Sequence, residues 1–111
     1  MDVKGQPLHA GDMAKQMHQA LDNLETVLKI SDLPLAKVVR LSFYTTDIGA
    51  FYNDAVPAYR PRLEAAGCKP SATLLGVTGL FHPDLMIEIE ATAVDSSAVR
   101  TKTLTQLEVY E

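Results

Sequence analysis

Apolar residues recur every three or four positions between Met13 and Ile30, a spacing that predicts an amphipathic helix. Asp12 stands directly before this stretch, where a carboxylate can accept hydrogen bonds from the first free backbone N–H groups. Charged and amide side chains occupy most of the opposite positions. We therefore predict a first helix that begins after Asp12 and ends near Ile30, before Pro34 disfavours helical geometry.

Residues 37–46 are rich in β-branched and aromatic side chains, a composition typical of a β-strand. Side chains alternate between the two faces of a strand. Strict alternation would put Val39, Leu41 and Phe43 on the face that meets the helices. The opposite face would then carry Val38, Arg40, Ser42 and Tyr44.

A second helical pattern follows Asp47, which is placed to cap it. Its apolar stripe consists of Ile48, Phe51, Ala55, Tyr59 and Leu63. Pro57 and Pro61 each lack a backbone N–H, so the pattern predicts a kink or two short helices in place of one regular helix. Gly67 is a natural stop for it.

Residues 69–94 are predicted to form a β-hairpin. Its first strand, 71–80, is nearly uncharged and rich in Thr, Val and Leu, which suits a strand covered on both faces. Its second strand, IEIEATAV from residue 87, alternates, so Glu88 and Glu90 share the face opposite to the isoleucines. A Pro-Asp pair at 83–84 provides the turn signal.

The length of 111 residues indicates a single domain, 1–111. Residues 1–11 would form a leading loop, 12–95 the core and 96–111 a tail. The tail contains a strand-like stretch at 103–110 that could add an edge strand. The order of elements predicts an α+β sheet with two helices packed on one face. In so small a chain, a partner subunit is the natural cover for the other face.

Charge and composition exclude several kinds of partner and site. A net charge of -4 with only ten scattered basic residues argues against nucleic acid. No apolar run is long enough to span a membrane, and the single Cys68 allows no internal disulfide, so we expect a cytoplasmic protein. His9, His18 and His82 show no metal-ligand spacing, so we expect no metal and no cofactor. Cys68 itself is expected to be an unreactive thiol.

Several short matches together give the chain its resemblance to a known family. They are Gly11-Asp12, Gln16, Gln19-Ala20-Leu21, Asn23-Leu24, Leu28, Val38-Val39, Tyr44, Thr46-Asp47, Phe51, Pro70, Val77, Leu80 and IEIEATAV. With these residues the chain resembles the Rid family, the reactive intermediate deaminases, also called YjgF and often labelled endoribonuclease L-PSP.

The resemblance implies a chorismate-mutase-like (YjgF-type) β-sheet and a homotrimer with small-molecule clefts between its subunits. Family members usually have a further stretch before the Gly-Asp pair. The resemblance therefore also implies an N-terminally shortened fold, in which Met1 is a late start and the tail 96–111 occupies the vacated edge.

The resemblance also assigns candidate site residues. In deaminating members an arginine clamps the substrate carboxylate, and Ala72 stands at its position here. Ala72, Thr73 and Leu74 would form the substrate-binding segment, and Glu88 would be the catalytic acid or base. Because a methyl group cannot hold a carboxylate, the resemblance predicts a protein that is not a typical 2-imino-acid deaminase.

Three alternatives remain at this level. The chain could be an active imine or enamine deaminase, or another small-molecule hydrolase, that uses Glu88. It could be a structural or interaction trimer without catalysis, in which Glu88 is an ordinary solvent-facing strand residue. A ribonuclease follows from the family label alone, and the acidic charge weighs against it.

Overall fold

A computed structural model describes residues 9–95 and 100–105, without the side chains of 95 and 100–105. The elements are α1 (Met13–Ile30), a 3-10 turn (Leu35–Lys37), β1 (Val38–Thr45), α2 (Ile48–Ala50), a π-helical turn (Phe51–Ala55), α3 (Val56–Ala65), β2 (Ser71–Gly76), β3 (Ile87–Asp95) and β4 (Arg100–Thr105).

The four strands form one sheet in the order β2-β1-β3-β4. β1 is parallel to β2 and antiparallel to β3, and β4 is antiparallel to β3. The predicted hairpin is therefore wrong, because β1 lies between the two strands that were expected to pair. A parallel pair needs a long crossover, and the helical segment between β1 and β2 provides it. The predicted α+β sheet with two helices is confirmed.

The ends of the long helices follow from local hydrogen bonding. Oδ1 of Asp12 accepts the backbone N–H of Lys15 at 3.0 Å, so α1 begins as predicted. Two residues beyond the last residue of each helix, Asp32 after α1 and Gly67 after α3 have left-handed φ angles of 58° and 70°. In each case the following residue donates its N–H to the carbonyl five positions earlier at 2.9 Å. This bond pattern closes both helices, and the predicted stop at Gly67 is confirmed.

A register shift between Val38 and Arg40 interrupts the pairing of β1 with β3. Val38 is only 2% exposed and Val39 is 47% exposed, the reverse of the prediction. A bulge adds one residue to the strand, so the side chains before and after it no longer alternate in one continuous pattern. Leu41 and Phe43 then lie in the core as predicted.

The second helical segment is continuous but not regular. Oδ1 of Asp47 accepts the N–H of Ala50 at 2.9 Å and so caps α2, as predicted. The N–H of Val56 reaches back to the carbonyl of Phe51, which closes the wide π turn directly before Pro57. In regular α geometry a proline ring collides with the carbonyl four residues earlier, and a wider turn relieves that collision.

The core lies between the helices and one face of the sheet. Its largest fully buried side chains are those of Phe43, Met17, Leu21, Leu28, Leu41, Ile87, Val38 and Thr45. The other predicted stripe residues are buried or half-buried, but Ile48 is 43% exposed because it precedes the π turn at the start of the segment.

β2 differs from its prediction in length and in burial. It ends at Gly76 instead of residue 80, and most of its side chains are exposed in the single chain. The expectation of a strand covered on both faces is wrong for this chain, because β2 lies at the edge of the sheet. On the opposite edge, β4 overlaps the strand-like stretch of the tail at 103–105, and 106–110 lie outside the described residues.

Candidate functional site

The strand register separates the predicted site residues between the two faces of the sheet. Ala72 lies beside Leu41 of β1, and Glu88 lies beside Tyr44. Adjacent residues of paired strands share a face. Ala72 and Leu74 therefore lie on the face that carries the helices, whereas Glu88 lies on the opposite face, which we call the open face. The structure does not bring Ala72 and Glu88 together.

Glu88 is half-buried and partly fixed by the loop that joins β2 to β3. Its Oε1 accepts the backbone N–H of Phe81 at 3.1 Å. Among the described residues no group donates to its Oε2. One oxygen therefore holds the carboxylate in place and the other is free to contact a ligand or a water molecule. This geometry is compatible with a general base.

A cleft of about 350 Å³, the Glu88 cleft, surrounds this carboxylate. It is lined by Tyr44, Val77, Gly79, Leu80, Glu88, Ile89 and Glu90. The Tyr44 hydroxyl donates to Oε1 of Glu90 at 3.3 Å. None of these lining residues is a Lys, Arg or His. Two carboxylates without a facing cation disfavour an anionic ligand and favour a neutral or cationic one.

The loop that closes the Glu88 cleft is held by a buried glutamine of α1. Gln16 is 3% exposed. Its Nε2 donates to the carbonyls of Asp84 at 2.8 Å and His9 at 3.2 Å, and its Oε1 accepts the N–H of Met86 at 2.8 Å. The two bonds to Asp84 and Met86 fix the path of the loop between β2 and β3, and the third ties the segment before α1 to the same side chain. An amide within the apolar positions of α1 is the sequence signal for such a contact.

A second cleft, the β2-edge cleft, lies on the helix side of the sheet and has a volume of about 370 Å³. The predicted substrate-binding residues Ala72, Thr73 and Leu74 all line it. The other lining residues are Phe43, Phe51, Tyr52, Val56, Tyr59 and Arg60. The structure thus brings together the three predicted residues of β2, but it places them beside an aromatic cluster and away from Glu88.

Arg60 is the lining residue that sequence reasoning missed. It projects from α3 beside Ala72, and both residues also line the hollow next to this cleft. Among the described residues Arg60 forms no ion pair and no hydrogen bond. Tyr52, Val56 and Arg60 follow one another at spacings of four, which places them along one side of a helix. That spacing was the available signal.

The remaining candidate residues do not form a site. Cys68 is buried with its Sγ 3.7 Å from the carbonyl of Val38, and burial raises the pKa of the thiol. A protonated, inaccessible thiol is a poor nucleophile. His18 contacts Arg62, and Nδ1 of His82 accepts the N–H of its neighbour Asp84.

Within residues 9–95 and 100–105, no three His, Cys, Asp or Glu side chains are grouped so that they could hold a metal ion. Across the same residues no helix has the length and apolarity that crossing a membrane requires.

Comparison with known proteins assigns the chain to one family. The chain belongs to the endoribonuclease L-PSP family, whose model matches residues 1–95. The resemblance to the Rid family is thereby confirmed.

Solved structures of this family share the fold. Rv2704 from Mycobacterium tuberculosis, a member of the YjgF/YER057c/UK114 family, is 33% identical and matches with a TM-score of 0.68 over 74% of this chain and 67% of that chain. YyfB from Yersinia pestis, of the conserved Rid protein family, is 31% identical with a TM-score of 0.71 over 83% and 69%. The YjgF gene product of E. coli is 26% identical with a TM-score of 0.73 over 82% and 70%. No curated protein matches the chain.

Proposed function

We propose that this chain forms a cytoplasmic homotrimer that binds a small molecule in clefts at its subunit interfaces and does not act as a typical 2-imino-acid deaminase. The observation that carries the proposal is the separation of Ala72 from Glu88 by the sheet, together with the methyl side chain at position 72. A 2-imino acid needs a cation for its carboxylate close to the group that activates water. The Glu88 cleft offers only carboxylates as charged groups.

Exposed apolar side chains support the assembly. Leu75 lies beside Tyr44 on the open face and is 47% exposed, and Phe81, next to the Glu88 cleft, is 73% exposed. Apolar side chains that are grouped on one surface commonly mark a contact with another subunit. A partner subunit over this face would enclose the Glu88 cleft, whose volume of about 350 Å³ is in the range of small-molecule sites.

The proposal is tested by trapping imines with semicarbazide. Amino-acid oxidase generates 2-imino acids, and semicarbazone formation is followed with and without the protein. We expect no acceleration of imine loss by the wild-type chain and none in Ala72→Arg, because position 72 lies on the face opposite to Glu88. Thr73→Arg is the matched variant, because Thr73 lies beside Ser42 on the open face that also carries Glu88. A gain in Ala72→Arg would show that the missing guanidinium, and not the separation of the two positions, limits the activity. Fast hydrolysis by the wild type that is abolished in Glu88→Gln would refute the proposal, as would a monomeric mass in solution.

A second candidate is hydrolysis of imines that lack a carboxylate, and the charge of the Glu88 cleft favours it. Water would add to the imine carbon while Glu88 accepts its proton and passes it to the nitrogen, which gives a carbinolamine. The hydroxyl proton of the carbinolamine would then pass through Glu88 to the nitrogen, so that the C–N bond breaks, ammonia leaves and a carbonyl compound remains. An amine oxidase supplies such imines for the same trapping assay. Acceleration in the wild type that is lost in Glu88→Gln would support this activity. No acceleration in any arm, with a trimeric mass, would favour an interaction protein without catalysis.

The nuclease suggested by the family's description has less support from this chain. The phosphates of RNA require cations, and the Glu88 cleft is lined by Glu88 and Glu90 without a basic residue.

A further inference from the structure

We propose that the β2-edge cleft binds an aromatic carboxylate, with Arg60 of α3 as the residue that holds the carboxyl group. The inference deepens the proposed function, on which it rests, because it names a ligand class for one of the two clefts. Arg60 and Ala72 line this cleft together. The guanidinium that β2 lacks at position 72 is thus available from the neighbouring helix.

The apolar walls of the cleft are aromatic. The ring centroids of Phe43 and Phe51 are 5.2 Å apart, and those of Phe43 and Tyr59 are 4.9 Å apart. Tyr52 extends this cluster with its ring edge-on to Phe51 at 5.9 Å, and it is 62% exposed. Aromatic side chains at such distances favour a further ring in a stacked or edge-to-face arrangement. The ligand body is therefore expected to be a single aromatic ring, which fits a volume of about 370 Å³.

The polar groups of the cleft are suited to an anion. They are the guanidinium of Arg60 and the hydroxyls of Tyr52 and Tyr59. All of them can donate hydrogen bonds, and no carboxylate lines this cleft. A guanidinium binds a carboxylate with two parallel hydrogen bonds, so a single arginine matches a single carboxyl group.

One acid could compete for Arg60. Glu64 lies one turn further along α3 and lines the adjoining hollow together with Arg60. Among the described residues the two do not form an ion pair. The guanidinium is therefore not neutralised in the unliganded chain, and removal of Glu64 should strengthen anion binding.

Binding at this site does not lead to hydrolysis within one chain. Glu88 lies on the open face, and the sheet separates it from the β2-edge cleft. The cleft is thus a binding site whose ligand is retained unchanged.

The experiment compares three ligands with the same ring and chain length: 3-phenylpropanoate, 3-phenylpropanamide and 3-phenylpropylamine. Binding to the full chain is followed by two-dimensional NMR and calorimetry. We expect the acid to shift the signals of Tyr52 and Tyr59 and to bind most tightly there. Arg60→Gln should weaken the acid about tenfold or more and leave the amide within about twofold. Arg60→Lys should recover only part of the affinity.

Matched controls separate the site from a general effect of charge. Arg40→Gln removes one positive charge from the open face and should change acid binding less than about twofold. Glu64→Gln should increase acid affinity, and Glu88→Gln should not alter it. Equal affinities for acid and amide, or equal losses in Arg60→Gln and Arg40→Gln, would overturn the inference.

Failure of this inference is distinguishable from failure of the proposed function. If the amide or the amine binds at the Glu88 cleft and the acid does not bind beside Arg60, the inference alone is wrong. The proposed function fails by a different result, a monomeric mass in solution or fast hydrolysis of 2-imino acids by the wild type.

Discussion

Replacement of Gln16 by methionine tests how strongly α1 holds the loop over the Glu88 cleft. Methionine has nearly the same length and volume as glutamine, so the change removes three hydrogen bonds and leaves little cavity. Each bond contributes about 1 kcal/mol net, and its loss also leaves a buried backbone partner unsatisfied. The total for the bonds to His9, Asp84 and Met86 is therefore about 3 kcal/mol.

The loss is measured by urea unfolding at a fixed protein concentration, because assembly makes stability depend on concentration. With an m-value of about 1.5 kcal/mol per M, the midpoint of Gln16→Met should fall by about 2 M. Hydrogen exchange of the Met86 amide should accelerate, since that N–H loses its acceptor. Gln19→Met is the matched control. Nε2 of Gln19 donates to Oδ1 of Asn23 at 2.9 Å, and the loss of this hydrogen bond should cost below about 1 kcal/mol.

Two results would refute this reasoning. A midpoint within about 0.5 M of the wild type would mean that the three bonds are replaced by others. Unchanged protection of the Met86 amide would mean that Gln16 does not hold the loop. If the reasoning is correct, Gln16→Met should also weaken any ligand of the Glu88 cleft, because Leu80 and Gly79 on the same loop line it.

Two further predictions concern Arg62 and Cys68. The Arg62 guanidinium joins α3 to α1 by contacts with Asp22 at 2.9 Å, Glu25 at 3.1 Å and the carbonyl of His18 at 3.1 Å. Arg62→Met should therefore lower the free energy of unfolding by about 1 kcal/mol. Urea unfolding at low and high salt measures this change. An equal loss of unfolding free energy at both salt concentrations would contradict a contribution from the ion pairs. For Cys68, burial raises the pKa of the thiol in the folded chain, so the unfolded chain releases the proton first as pH rises. The thiol should not reduce the free energy of unfolding below the ordinary thiol pKa, and above it that free energy should fall as pH rises. In Cys68→Ala the fall at alkaline pH should be smaller. An equal fall in the variant and the wild type would contradict this prediction.

The elements that sequence predicted well are those controlled by neighbouring residues. α1 begins and ends where the capping Asp12 and the apolar spacing place it. β3 buries Ile87 and Ile89 and leaves Glu88 and Glu90 half-buried, as alternation predicts. In both elements the physical cause lies within a few residues of its effect.

The pairing of strands could not be predicted in this way. A turn signal at 83–84 shows that the chain changes direction, but it does not show which strand lies alongside. β1 is an inner strand whose helix-facing residues belong to the buried core, and this is a property of the whole fold. The bulge that exposes Val39 could not be predicted for the same reason, because it depends on the register between β1 and β3.

The arrangement of the candidate site residues could not be predicted from the sequence. Glu88 and the segment from Ala72 to Leu74 do line clefts. Their separation by the sheet depends on the register of two different strands with β1, and a single sequence contains no direct signal for that register. Arg60 was missed because its partners across the cleft are distant in sequence.

The π turn at Phe51–Ala55 fixes the direction in which α3 presents Arg60. A wide turn accommodates one residue more than the corresponding α-helical turn, and one residue corresponds to about 100° of rotation around the helix axis. If this turn tightened to regular α geometry with all its residues in place, α3 would rotate by that angle and carry Arg60 away from Ala72. A change in the width of the turn alone would then alter the charge of the ligand that the β2-edge cleft recognises.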